Sequence, residues 1–363
     1  EAVLGALAVE LTGDGRRDLV VWGASGATVL VQGPEGALVA SAKYSIAQSI
    51  AALIAGDTDG DGKSEVFIAG SLASSTELHV LASDSDGALS PLAVVPIPSV
   101  VRSLVAIDND GSGSIDVALL SNTQLGILEN AGRGSPPEWS DIDGANSARF
   151  MALADLDANG RRDALVCTGA ELLYQADPFG KGATPPERLS SLGCDSVIVS
   201  DLDADGDLDF ISLRQEVRGH SVRAVITPWL RTENSWLPRG SQAVNAASVM
   251  QFAQLDGDGI PDILLGGDDA ITEAFQMTLG AGLEDSLLVR LGTRLTPKFC
   301  DLDGDGTLDM FAYGSGFATA WGDGHGGFEP LRRTTLEKLV GDSQQITSAA
   351  VIDLDTDGTQ EII

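Results

Sequence analysis

Short apolar runs punctuate this chain at regular intervals, and polar, glycine-bearing segments separate them. One kind of run leads into an acidic turn, as in FMALADLD, SVIVSDLD and SAAVIDLD; a second kind leaves it, as in DLVVWG, EVFIAG, DALVCTG and DILLGG. The runs are 5–7 residues long and rich in Val, Ile and Ala. Apolar stretches of that length between turn signals predict buried β-strands rather than helices. One or two further strand-like runs follow in each unit, such as ATVLVQG and TELHVLAS. The unit is therefore about four short strands.

The acidic turn itself is a repeat. DLDGDGTLD at Asp301–Asp309 has seven further copies, whose starts lie 47, 51, 47, 46, 53, 47 and 52 residues apart along the chain. Position 6 is glycine and position 9 is acidic in all eight copies. Four strands per unit at this period predict a β-propeller blade. The fold class expected is all-β: one propeller domain over residues 1–363, with four-stranded antiparallel blades. Approximate blade limits are 1–44, 45–97, 98–144, 145–190, 191–243, 244–290 and 291–342, with 343–363 beginning an eighth. The WD dipeptide is absent. Two end hairpins of identical type do not both fit one seven-bladed ring, which favours eight blades and a chain that ends within the last.

The turn has the make-up of a cation site. Calcium (Ca2+) takes six to eight hard oxygens. Side chains from positions 1, 3, 5 and 9 can surround one point, with the carbonyl of position 7 as a further donor. Glycine at position 6 allows a left-handed turn. The candidate metal ligands are Glu10, Thr12, Asp14 and Asp18; Asp57, Asp59, Asp61 and Glu65; Asp108, Asp110, Ser112 and Asp116; and Asp155, Asp157, Asn159 and Asp163. They continue with Asp201, Asp203, Asp205 and Asp209; Gln254, Asp256, Asp258 and Asp262; Asp301, Asp303, Asp305 and Asp309; and Asp353, Asp355, Asp357 and Glu361. Four loops are fully acidic at these positions, and the first, with Glu10 and Thr12, is the weakest; six or seven loops are expected to hold metal. An EF-hand would need a glutamate at position 12 and flanking helices. Position 12 is Ala312, Ile68 and Ser212 in three copies, and the flanks are strand-like.

Charge strengthens this reading. The chain carries 53 acidic against 22 basic residues, a formal charge of −31. Of the acids, 29 lie in the eight nine-residue segments, where unpaired carboxylates would repel one another. Eight divalent cations would bring −31 to −15. Such an acidic balance excludes nucleic acid as the natural partner and disfavours an anionic membrane surface. No run is long enough for a membrane span. No signal peptide is visible, but the chain opens inside a strand-like run, so a start region is expected ahead of it. The three cysteines, Cys167, Cys194 and Cys300, define neither a disulfide framework nor a zinc site. One pair can still bridge, Cys167 and Cys194 being nearest in sequence.

At this point the sequence resembles the FG-GAP and VCBS repeats. The resemblance rests on the DxDxDGxxD loop followed by an apolar strand, and on later turns such as WGDGHGGF (Trp321–Phe328) and LENAGRG (Leu128–Gly134). These repeats build the calcium-binding propeller of integrin α subunits and of many bacterial secreted or surface proteins. The Phe-Gly and Gly-Ala-Pro signatures are not intact here, which points to the bacterial type. The resemblance implies one structural Ca2+ in each hairpin joining the first two strands of a blade. It also implies a protein or glycan ligand on another face, and a secreted or cell-surface setting within a larger exported protein.

Catalytic motifs are lacking. His79, His220 and His325 have no ligand spacing, and GDGHGG is followed by a strand-like run, outside the context that gives GxGxxG meaning. GDTDGDGKS has Asp57 where a phosphate loop needs its first glycine. The expected function is thus a non-enzymatic, calcium-stabilised binding or adhesion scaffold; the alternative is a carbohydrate-active propeller, either lectin or polysaccharide lyase module. One segment departs from the acidic background: Arg214–Arg239 carries Arg214, Arg218, Arg223, Arg231 and Arg239 with Trp229 and Trp236. Arg and Trp favour interfaces and sugar or carboxylate binding. The plainer alternative is a solvated strand face with Trp packed between blades.

Overall fold

The computed structural model describes the chain except residues 1–2, 47, 98, 110, 130–136, 143–146, 181–182, 220, 234, 248, 256–257, 267–270, 279–281, 291–294, 315, 326, 336–345, 347–348, 350, 353–359 and 363. Side chains at 218, 221, 249, 271–278, 282–290, 334–335, 352 and 361 are likewise outside the description. The described residues form strands and turns, with no helix, and hence no helix that is long and apolar enough to cross a membrane.

The strands build a propeller. Six antiparallel sheets have four strands in sequence order, one has a fifth strand, and a last pair joins Val351–Ile352 to Glu361–Ile362. The blades follow one another in a ring. Where burial is described for a whole blade, the second strand is the most buried. Glu65–Ser71, Asp116–Ser121, Asp163–Thr168, Asp262–Gly266 and Asp309–Gly314 are buried along almost their whole length. Fourth strands such as Leu38–Ser45 are largely exposed.

The burial on both faces has a simple cause. Strand side chains alternate, and each second strand faces two neighbours. Phe67 and Ala69 pack toward blade 3, while Val66 and Ile68 pack toward blade 1. Val117 and Leu119 join blade 2, and Ala118 and Leu120 join blade 4. Leu264 faces blade 7, whereas Ile263 and Leu265 face blade 5. Among the described residues seven such clusters fill the seven spaces between consecutive blades. That explains the continuous apolar runs in the sequence: alternation is masked where both faces are dry.

A disulfide joins Cys167 in the second strand of blade 4 to Cys194 in the segment that leads into blade 5. Cys300 is a free, partly buried thiol, and burial pushes its pKa up to about 12.

Candidate functional site

All eight acidic segments connect a paired first and second strand of a blade. In every one, the residue before position 1 pairs with the residue at position 9: Val9 with Asp18, Gly56 with Glu65, Ile107 with Asp116, Ala154 with Asp163, Ser200 with Asp209, Ala253 with Asp262, Cys300 with Asp309 and Ile352 with Glu361. The turn needs two residues in the left-handed region. At position 6, Gly15, Gly62, Gly113, Gly160, Gly206, Gly259 and Gly306 have φ between 80° and 94°. A Cβ on Gly306 would meet no atom within 4 Å, so the requirement there is conformational and not one of space. Position 4 is also left-handed, and Ala158 and Ala204 adopt it without glycine, at φ 57° and 59°.

The position-9 side chain is the anchor of the loop. It is buried in the seven blades where it is described: Asp18, Glu65, Asp116, Asp163, Asp209, Asp262 and Asp309. One oxygen accepts the N–H of position 2, from Leu11, Thr58, Asn109, Leu156, Leu202, Leu255 and Leu302, at 2.7–3.1 Å. Among the described residues, in four blades the other oxygen accepts an N–H at the end of the third strand, from Gln32, Asp177, Arg231 and Gly322, at 2.7–3.0 Å. The leucine common at position 2 plugs into the core, Leu11 and Leu202 being fully buried. One carboxylate thus ties three strands to the loop.

The remaining positions organise the turn. Asp301 accepts the N–H of Gly304 and of Gly306, each at 2.8 Å. Asp57 does the same with Gly60 and Gly62, and Asp108 and Asp155 receive the amides of positions 5 and 6. Position 5 accepts the amide of position 7 at Asp61, Ser112, Asn159, Asp205, Asp258 and Asp305. Position 3 accepts the amide of position 5 at Asp59, Asp157 and Asp303.

These folds converge acids on one point. Carboxylate oxygens of Asp57, Asp59 and Asp61, of Asp155, Asp157 and Asp163, of Asp201, Asp203 and Asp209, and of Asp301, Asp303 and Asp309 lie within 4.8 Å of one another in each loop. The fifth loop is the most demanding. One oxygen each of Asp201 and Asp203 is buried with no hydrogen-bond partner. Desolvation, with Asp205 and Asp201 adding repulsion, raises the pKa of Asp203. Burial likewise pushes Asp209 up to about 6, and raises Asp18, Glu65, Asp163 and Asp309. Buried acceptors without donors fit a bound cation, the one partner a carboxylate-only pocket lacks.

The first loop differs. Glu10 accepts the amides of Thr12 and Gly13 at 3.0 and 2.7 Å, and the Arg16 guanidinium pairs with Asp14. Gln254 lies against the backbone of Gly259 and Ile260. Asp110, Asp256, Asp353, Asp355 and Asp357 lie outside the described residues, as does the Glu361 side chain.

The basic, aromatic segment is divided by the fold. Trp229 and Trp236 are buried between blades 4 and 5: Phe210 stacks on Trp229 at 5.6 Å, and Trp236 meets Phe210 and Tyr174 edge-on at 4.9 and 5.8 Å. Arg231 caps the Trp236 ring at 5.0 Å. His220 and the Arg218 side chain are outside the description. Arg214 and Arg223 remain at an open cleft.

Blades of four strands joined by acidic turns, four of which among the described residues gather carboxylates that could hold a metal ion, define the class of this β-propeller. The FG-GAP-like repeat family matches residues 11–68 and 301–363, and the same acidic turn recurs in the sequence between them; the two matches and the propeller fold together support an FG-GAP-repeat propeller family. No curated protein matches it in sequence. Among solved structures, it is similar to an Agrocybe aegerita lectin described by its specific recognition of non-reducing terminal N-acetylglucosamine. That similarity has a TM-score of 0.60 at 15% identity, over 91% of this chain and 94% of the lectin chain. It is also similar to BBS1N, solved in complex with ARL6DN, with a TM-score of 0.52 at 11% identity over 86% and 90% of the two chains. At these identities the likeness is one of fold.

Proposed function

We propose that this chain is a calcium-stabilised extracellular binding scaffold, acting by recognition and not by catalysis. The observation that carries the reading is the pair of buried, partnerless oxygens on Asp201 and Asp203 beside Asp209, within a loop repeated around the propeller. Positions 1, 3, 5 and 9 would hold the ion; Ca2+, when bound, supplies two positive charges and a wide shell of oxygen coordination. The chain's own part is to hold those oxygens in place: backbone amides of each loop fix its carboxylates, and position 9 fixes the loop to the blade. Calcium is favoured over softer metals because the donor set is oxygen alone. The Cys167–Cys194 bridge supports an oxidising, exported setting, where millimolar calcium suits loops of modest affinity.

The partner in this reading is a protein or glycan that meets a part of the propeller away from the metal hairpins. The lectin of similar fold is described as recognising a sugar, which makes the glycan reading the first to try. The test of the scaffold is thermal unfolding with 2 mM-scale calcium and with EDTA. Ligands that bind only the native state stabilise it by mass action, about 2.7 kcal/mol for each site held at a hundredfold excess over Kd. Calcium should therefore raise the melting temperature by many degrees. Identical curves with and without EDTA would remove the calcium reading.

A further inference from the structure

Blade 5 departs from its neighbours in height. Its second and third strands, Asp209–Arg218 and Ser221–Thr232, run 10 and 12 residues, against 6 and 4 for Asp163–Thr168 and Leu172–Gln175 in blade 4. The long hairpin pairs without a break out to Arg218 opposite Ser221. Its outer edge is completed in two pieces: Ser235–Pro238 pairs with one part of the third strand, and Gln242–Asn245 with Arg223–Ile226. Blade 5 thus overshoots blade 4 at the end away from the acidic hairpin.

Alternation decides what the overshoot displays. Phe210 and Trp229 face blade 4. Ser212, Arg214 and Glu216 follow Phe210 on the same face of one strand, and Thr227 and Arg223 share the face of Trp229 on the next. Above the top of blade 4 this face turns polar. The opposing wall is the segment Leu192–Cys194. It is held by the Cys167–Cys194 bridge and by the Cys194 N–H on the Thr168 carbonyl at 3.2 Å. A Cβ on Gly193 would lie 2.5 Å from the Gly169 carbonyl group, so two backbones close the cleft floor there. The space between the walls is about 290 Å³. A second hollow of about 330 Å³ adjoins it through Arg214.

The charges in this cleft are unlike those of the rest of the molecule. Arg214 pairs with Glu216 at 2.6 Å. Arg223 lines the cleft, is exposed, and stands opposite Glu216 in strand register without an ion pair to any acid among the described residues. That is notable in a chain with 53 acids for 22 bases. The hydroxyls of Thr227 and Ser241 meet at 2.8 Å on the rim. We propose that this cleft binds a carboxylate-bearing sugar unit of an acidic glycan. Arg223 and Arg214 supply forked donors for the carboxylate, while Glu216, Thr227 and Ser241 exchange hydrogen bonds with ring hydroxyls. The volume is at the small end of ligand sites and fits a short saccharide. The acidic hairpin does not repel such a ligand strongly. Arg214 lies five residues along the strand from Asp209, about 16 Å, beyond the roughly 8 Å screening length at physiological salt. An acidic peptide would satisfy the arginines but leave the hydroxyl rim and Glu216 without use.

This site rests on the reading of the chain as a binding scaffold and is independent of calcium identity. The experiment is calorimetric titration of the calcium-loaded full chain with galacturonate, glucuronate and mannuronate trisaccharides, with their methyl esters, and with triglutamate. At least one uronate should bind, its neutral ester about tenfold or more weakly, and triglutamate more weakly than the sugar. Arg223→Ala should weaken uronate binding about tenfold or more with an unchanged melting temperature. Absence of binding by all three uronates, equal binding of an ester, or an unaffected Arg223→Ala variant would overturn the proposal. Triglutamate binding as tight as the sugar would overturn it in favour of a peptide site. The calcium-dependent melting shift is read on the same samples, so the scaffold reading and the cleft can fail separately.

Discussion

Asp309 and Asp303 carry the same side chain six residues apart and differ in what surrounds it. Asp309 is buried and receives the amides of Leu302 and Gly322; Asp303 is exposed and receives only a local amide from Asp305 among the described residues. Removing the first leaves two backbone donors without an acceptor in a dry place, each worth about 1–3 kcal/mol. In urea unfolding with EDTA present, Asp309→Ala should therefore lose about 2–4 kcal/mol, and Asp303→Ala less than about 1 kcal/mol. Equal losses would mean that position 9 is not the anchor. In the sequence, position 9 reads as one more ligand, because spacing reports which oxygens can gather and not which backbone amides they already serve. Glycine at position 6 was legible for the opposite reason: a left-handed φ is a local demand that leaves a local mark.

At the level of the blade, the repeat and its short apolar runs carried most of the architecture. Period, turn chemistry and apolar runs all point to the same hairpin, and the strands begin and end where those signals do. Two features were legible only as open alternatives: the sequence allowed Trp packed between blades and a Cys167–Cys194 bridge without deciding either. Trp229 and Trp236 alternate with arginines, which on a chain alone suggests a surface; register places Trp229 opposite Phe210, where both fill the space between blades 4 and 5. The Cys167–Cys194 pair meets because the outer strand of blade 4 returns the chain to the end of its second strand, a product of topology that cysteine spacing does not encode. The bridge closes a sequence separation of 27 residues. On chain-entropy grounds Cys167→Ser should lower stability by about 3–4 kcal/mol. Equilibrium urea curves of the variant and of the reduced parent should coincide, with calcium stoichiometry unchanged; a variant as stable as the oxidised parent would show the bridge to be mechanically idle.

Over the whole molecule, the acids set how stability depends on pH. Burial raises the folded-state pKa of Asp18, Glu65, Asp163 and Asp309, and takes Asp209 to about 6. For such groups the folded chain binds protons more tightly than the unfolded one. Their contribution is complete below the unfolded value, near 4, and is lost as pH rises through the folded value. Asp323 acts oppositely, its pKa lowered by the amides of His325 and Gly327, but it is a single group on an exposed turn. With EDTA, the melting temperature should fall as pH rises from about 4 to about 6. With saturating calcium the cation replaces the proton as the compensating charge, and the decline should flatten. A melting temperature that climbs over this window without metal would contradict the burial of these acids.

The shared second strands also govern where the chain can vary in length. One residue inserted in Asp116–Ser121 would swap the side chains aimed at blade 2 with those aimed at blade 4, spoiling two seams at once. The hairpin beside it is fixed at nine positions in all eight copies, while the spacing between copies ranges from 46 to 53 residues. Length differences among the blades thus fall outside the nine-residue acidic segment, so the rest of a blade can differ while that segment stays the same. The tall hairpin of blade 5, which lengthens its second and third strands at the end away from the acidic segment, is one such difference.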